Sequence, residues 1–308
     1  MISSQNNDKL KHLAAISSVF VATLLSILKV IAFVKTDSLS ILSSFIDSIT
    51  DVFASVVSFI AVYFSAKPAS AQHRYGFGKA EALSALLQAI FVGISGIFVV
   101  IDGIKRFIYP VVIAQTNIGI FIMVLSIFAT LILVLFQTYV AKKTGSLAIK
   151  ADMAHYTVDF LTNFTVIVSL LLVSFFNFTY FDIIGALFVS IYLLYNAYSL
   201  MIEAMDLLTD KELDISIRKN IEGIVLRTKG IKNMHDFRSR NLGNMYYFEF
   251  HLEMDGNLTL LKAHDLTESV EKKILAVYPN SQILIHQDPY GIQENRIDHE
   301  IEGICNIE

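Results

Sequence analysis

Six long apolar stretches, divided by short polar ones, fill the first two thirds of the chain, at roughly 12–34, 39–65, 82–102, 115–141, 146–175 and 182–205. A helix rising about 1.5 Å per residue needs roughly 20 apolar residues to cross a hydrocarbon core about 30 Å thick, so each stretch is predicted to span a membrane. The fourth sits in a charge-free run from Phe107 to Ala141, where Pro110 and the polar Gln115-Thr116-Asn117 mark a loop. After Asp206 the period changes. Asp214–Thr228 reads as an amphipathic helix, and Tyr247 to Met254 alternates strictly, as a half-buried strand does. Leu258–Tyr278 is a second helix, Ser281–His286 a second clear strand stopped by Pro289, and an earlier strand lies near Ile231–Arg240. The order α-β-β-α-β predicts a small α+β, ferredoxin-like domain. Gln293–Glu308 is acidic and aperiodic, and is read as a flexible tail. The expected organisation is a six-helix membrane domain over 1–207, a soluble domain over 208–292 and a tail over 293–308.

Composition agrees with that division. Mean hydropathy is +0.57 and only 17% of residues are charged, against about 25% in soluble domains. Between His12 and Met205 there are 19 charged residues in 194 positions, and from Asp206 to Glu308 there are 30 in 103. The first 205 residues sum to +2 and the remainder to −6. With no basic stripe to neutralise phosphates, nucleic-acid binding is excluded. The single cysteine, Cys305, excludes a disulfide framework and a thiolate metal cage. No cleavable signal peptide is expected, because the first apolar run is too long and lacks a small-residue cleavage site. Six spans put both termini on one side of the membrane. Lys9, Lys11, Lys67, Arg74, Lys79, Lys142, Lys143 and Lys150 fall on that side, and only Lys35, Lys105 and Arg106 on the other. The positive-inside rule makes the termini cytoplasmic.

Acids deep in a membrane cost about 2.5–3.5 kcal/mol each on insertion scales, so each needs a reason. Asp47 and Asp51 lie in the second span, and His155 and Asp159 in the fifth. Each pair has i, i+4 spacing and shares one helix face. Counting inward from Ser65 and Ser146, Asp51 and Asp159 both lie about 20 Å deep, near the midplane. Three carboxylates and one imidazole at one depth suit a tetrahedral Zn²⁺ and tolerate Fe²⁺, Cd²⁺ or Mn²⁺; without sulfur they offer little to Cu⁺. A polar helix lock or a metal-free proton relay is the plainer reading of such acids. Lys29, six residues from Lys35, is expected to snorkel to the outer interface.

The segments D-S-I-T-D at 47–51, H-R-Y-G-F-G-K-A-E at 73–81, A-D-M-A-H-Y-T-V-D at 151–159 and I-H-Q-D-P at 285–289 resemble the cation diffusion facilitator family, in its bacterial ferrous-iron and zinc efflux type. The likeness runs from about Leu13 to Pro289 in the expected order and spacing. It implies a homodimeric antiporter of the bacterial inner membrane that exports divalent metal in exchange for protons by alternating access. Asp47, Asp51, His155 and Asp159 carry over as its transport site. Metal binding needs ionised carboxylates and a neutral imidazole, so metal and protons compete for the same atoms.

The same resemblance assigns a second loop site to an Asp and two His, where this chain reads Ser70, His73 and Phe77. Two ligands are missing, so His73 stands as a candidate ligand beside the plainer reading of a solvated loop histidine. Gly76-x-Gly78 fits a turn before the third span better than a phosphate loop, since no strand precedes it. By resemblance Lys79 and Asp210 form a charge pair at the hinge between the domains; the alternative for Lys79 is an interface lysine. In the soluble domain the resemblance makes His235, His251, His264, His286 and Asp288 the ligands of a binuclear cytoplasmic site, where spacing alone leaves scattered surface histidines open. His299 and Cys305 match nothing in that pattern. Divalent ions bridging two acidic domains would offset their repulsion, which predicts metal sensing through dimer closure. The expected protein is therefore no enzyme and uses no cofactor; Zn²⁺ or Fe²⁺ is substrate and regulatory ion, and protons, lipid and a second copy are its partners. A passive cation channel or a membrane metalloenzyme are the other readings, the latter opposed by the absence of an HExxH pattern.

Overall fold

The computed structural model describes residues 2–36, 39–108, 117–176, 181–292 and 296. The chain divides into two compact units, Met1–Met205 and Asp206–Glu308. The loop read at Pro110–Thr116 and all of the tail except Arg296 lie outside the described residues.

The first unit is helical throughout: α1 (Ile2–Thr36), α2 (Leu39–Ser65), α3 (Ala80–Ile108), α4 (Asn117–Thr144), α5 (Leu147–Phe176) and α6 (Phe181–Leu208). Among the described residues, five contain stretches long and apolar enough to cross a membrane, namely Asn6–Lys35, Ser44–Ser65, Ala80–Ile101, Phe121–Thr144 and Leu187–Leu208. The sixth, α5, has 30 residues and carries Asp152, His155 and Asp159 in its first half. Large apolar side chains stand exposed at helical spacing, such as Phe20, Leu24, Ile27 and Ile31 on α1 and Phe121, Phe128, Ile132 and Leu135 on α4. Faces of this kind suit the apolar interior of a bilayer. Inside, small residues bring the backbones together, as helix packing in membranes requires. Ala14 and Ala15 of α1, Ala61 and Val62 of α2, Val140 of α4 and Ala148 and Ile149 of α5 form one buried cluster. Gly96 of α3 has Leu194 of α6 so close that an added Cβ would lie 3.1 Å from its Cδ2.

Four helices are joined by one carboxylate. Glu81 at the start of α3 pairs with Lys11 of α1 at 3.0 Å. It accepts from Ser65 Oγ of α2 at 2.9 Å and from Ser146 Oγ, just before α5, at 2.6 Å. Lys11, one of the basic residues counted on the side of the termini, is thus buried. Gly145 (φ +65°) makes the left-handed turn that ends α4 and lets α5 begin two residues later. Lys29 departs from expectation. Its ammonium does not leave for the interface but donates to Ser48 Oγ at 2.5 Å and to the Ser44 carbonyl at 3.1 Å, both on α2. Its flexible stem lets it find these acceptors within the bundle.

The second unit follows the predicted order: α7 (Ile215–Leu226), β1 (Ile231–Asn241), β2 (Tyr246–Met254), α8 (Leu260–Val277) and β3 (Ser281–Pro289). The sheet runs β1-β2-β3, with β1 antiparallel and β3 parallel to β2. Phe248, Phe250, Leu252 and Met254, the apolar alternate positions of β2, are buried with Ile221 and Val225 of α7 and Ala263, Val270 and Ile274 of α8. Pro289 does not stop β3 early; it pairs with Met254 at the strand's end. Proline is tolerated there because β3 is an edge strand.

Candidate metal centres

Among the described residues two clusters of potential ligands emerge, one in each unit. In the helical unit, α2 presents Asp51 and α5 presents His155 and Asp159. His155 Nε2 lies 3.1 Å from Asp51 Oδ1 and 4.0 Å from Asp159 Oδ2. One ligand atom from each of the three falls within 4.8 Å of the others. Ligands about 2.0–2.1 Å from a tetrahedral Zn²⁺ stand about 3.3–3.5 Å apart, so small side-chain adjustments would be enough for this group to meet one ion.

A hydroxyl network one turn away sets the rotation of these helices. Ser18 Oγ of α1 donates to Ser55 Oγ of α2 at 2.8 Å, and Ser55 Oγ shares a 2.6 Å hydrogen bond with Tyr156 Oη of α5. Ser55 follows Asp51 by four residues and Tyr156 adjoins His155, so fixing the first pair aims the second. Asp47 lies one turn before Asp51 on the same face of α2, exposed and outside the three-residue group. Asp152 is a buried acid that pattern reading passed over. It is fully enclosed on α5, and Gln137 Nε2 of α4 donates to its Oδ2 at 2.6 Å. Its signal was its place three residues before His155, on the same helix face.

In the soluble unit the three strands place their histidines side by side. His235 pairs with His251 across β1 and β2, and His251 with His286 across β2 and β3. Ring centroids are 5.0 Å and 4.6 Å apart. Asp288, two residues beyond His286, reaches all three: Oδ2 is 2.7 Å from His251 Nδ1 and 3.7 Å from His235 Nε2, and Oδ1 is 3.2 Å from His286 Nε2. Two overlapping groups result, His235–Asp236–His251 and His251–His286–Asp288, with His251 common to both.

Asp236 enters through a break in register between His235 and Arg238, where its own φ is +50°. Strict alternation would turn it to the opposite face; a bulge re-aims it. Glu253 adds a further carboxylate, 3.0 Å from His235 Nδ1, and Arg296 donates to it at 2.6 Å. Neither Asp236 nor Glu253 was singled out from sequence. His264 stands exposed on α8 and belongs to neither group.

His73 is exposed in the turn between α2 and α3, its ring 4.4 Å from that of Phe77. Among the described residues it joins no group of three potential ligands. Asp210, at φ +58°, pairs with Arg240 at 3.5 Å inside its own unit.

Residues 15–209 match the family model for the cation efflux transmembrane domain, and residues 213–290 that for the cytoplasmic domain of cation efflux proteins. A cation-efflux pump FieF of Cronobacter sakazakii is 38% identical over 300 residues, which cover 96% of this chain and 100% of that protein. The pump of the same name from Klebsiella pneumoniae strain 342 is 37% identical over 289 residues, 94% of this chain and 96% of its own. A solved metal-bound C-terminal domain of the CzcD transporter from Thermotoga maritima shares 28% identity at a TM-score of 0.25, covering 26% of this chain and 94% of that one.

Proposed function

The chain belongs to the cation efflux, or cation diffusion facilitator, family and is a divalent metal efflux transporter; from that premise we propose that it exchanges Zn²⁺ or Fe²⁺ for protons by alternating access through Asp47, Asp51, His155 and Asp159. The observation that carries this reading is the meeting of Asp51, His155 and Asp159 between two helices of a membrane bundle. Oxygen and imidazole donors suit these ions. The same atoms bind protons, so a site facing a more acidic side loads protons and releases metal, and facing the other side does the reverse. Asp47, one turn outward, completes the set when its side chain turns toward Asp51. The positive-inside bias supports cytoplasmic termini in the bacterial inner membrane, so that outward release is export.

The soluble unit supplies the regulatory part of the proposal. His235, His251, His286 and Asp288 hold regulatory metal on the sheet, with His264 available from α8 and Asp236 and Glu253 as further acids. The dimer is formed by two copies whose net negative soluble domains are drawn together by that metal. The comparisons lend no support to a passive channel or a metalloenzyme.

The test is metal flux in proteoliposomes with an imposed pH gradient, Zn²⁺ and Fe²⁺ supplied separately. Flux should follow the gradient and disappear in Asp51→Ala. Flux indifferent to the gradient would overturn the antiport reading.

A further inference from the structure

Lys29 sits half-buried in the membrane bundle, with its ammonium on Ser48 Oγ and the Ser44 carbonyl. Ser44, Asp47, Ser48 and Asp51 recur at three- and four-residue spacing, so they line one face of α2. The ammonium therefore lies against the face that carries both carboxylates, on the outer side of Asp51. Ser48 lies one residue from Asp47 and three from Asp51, which puts the ammonium within electrostatic range of those carboxylates. A hydroxyl and a carbonyl accept its hydrogen bonds but bring no formal charge, so its field acts on the acids.

The charge count gives that field a meaning. Among the four proposed ligands, ionised Asp47, Asp51 and Asp159 with a neutral His155 carry three negative charges, Asp152, bonded by Gln137, lying outside the set; Lys29 reduces the four to minus two, equal and opposite to one divalent cation. A loaded site that is neutral avoids most of the cost of an uncompensated charge in a medium of low dielectric. Without the lysine, the empty site would carry an excess of three negative charges and would grip a divalent ion harder. We propose that Lys29 is the built-in counter-charge of the transport site, a specificity-determining residue that matches its three carboxylates to a single divalent ion and keeps that ion releasable.

This inference rests on the transport-site reading above, and the test separates the two. Zn²⁺ flux would be measured in proteoliposomes for the full chain and for Asp51→Ala, Lys29→Gln, Lys29→Met, Lys29→Arg and Ser48→Ala. A unit charge acting on a divalent ion over about 10 Å at an effective dielectric near 20 is worth on the order of a hundredfold in affinity. Lys29→Gln and Lys29→Met should therefore lower KM by about that factor and slow maximal flux as well, because release becomes harder. Lys29→Arg should keep both within about threefold. Ser48→Ala removes the anchoring hydroxyl and keeps the charge, and should leave KM near its original value. A lysine that merely tied α1 to α2 would give the opposite pattern, with Ser48→Ala and Lys29→Gln alike and KM unchanged or raised; that result overturns the inference. Flux that survives Asp51→Ala would remove the transport site, and the counter-charge with it. Flux abolished by Asp51→Ala with KM unchanged in both neutral Lys29 variants would overturn the counter-charge alone.

Discussion

Asp288 touches three histidines from three different strands, and a carboxylate so placed does more than any one imidazole around it. It is the carboxylate of one group of potential ligands, and its Oδ2 also approaches His235 of the other. Asp288→Asn should therefore weaken metal binding to the soluble unit by about 10–100-fold, the range seen when groups that orient metal ligands are lost. His264→Ala, from an exposed helix position outside both groups, should weaken it far less. Thermal unfolding of the purified chain with and without Zn²⁺ checks both. A ligand that binds only the folded state raises the midpoint, and the rise should shrink in Asp288→Asn and persist in His264→Ala. Equal losses in the two variants would place His264 inside the site. The sequence disclosed residues of this kind unevenly. Asp51, His155 and Asp159 announce themselves because an acid or imidazole in an apolar helix demands an explanation. Asp236 does not, because alternation assigns it to the wrong face until the bulge is known. Lys29 reads as an interface charge, since a lysine's flexible stem can carry its head either outward or into a bundle.

Elements were more legible than contacts, and the reason is periodicity. The alternation of β2 and the helical recurrence over α7 and α8 are strong because one face of each must meet the core. The six apolar stretches are stronger still, as lipid leaves few alternatives to helix. What periodicity does not reveal is which polar residues meet across elements. The join made by Glu81 is the clearest case: the turn before α3 was legible, but its bonds to α1, α2 and the start of α5 span 16 to 70 residues of sequence. Glu81 and Lys11 are both largely enclosed, with side-chain exposures of 7% and 11%. Removing one partner of a buried pair typically costs about 3–5 kcal/mol, because the other charge is left without compensation. Glu81→Gln should lower the unfolding midpoint of the detergent-solubilised chain clearly, and Lys11→Met/Glu81→Gln should recover much of the loss. A double variant as unstable as the single one would assign the stability to the hydrogen bonds from Ser65 and Ser146.

Across the whole molecule, charge is segregated: the first 205 residues sum to +2 and the last 103 to −6. Two copies side by side in one membrane would hold two acidic soluble domains close together, and they repel. Monovalent salt screens that repulsion over a Debye length of about 8–10 Å near physiological ionic strength but binds nowhere in particular. A divalent ion held by the histidine row and Asp288 neutralises charge at a fixed place, so metal and salt should act differently. The single cysteine, Cys305, provides one labelling position per copy. With donor and acceptor dyes there, energy transfer within dimers of the full chain in nanodiscs should rise when Zn²⁺ is added at constant ionic strength and fall again with chelator. His251→Ala, which removes the histidine shared by both ligand groups, should abolish most of the rise. It should leave gradient-driven flux through Asp51 intact at saturating metal while shifting the metal concentration at which flux sets in. If sodium chloride alone reproduced the rise, screening would be sufficient and the sheet metal would have no regulatory part. If His251→Ala instead left the rise unchanged, the ion that draws the domains together would have to bind elsewhere.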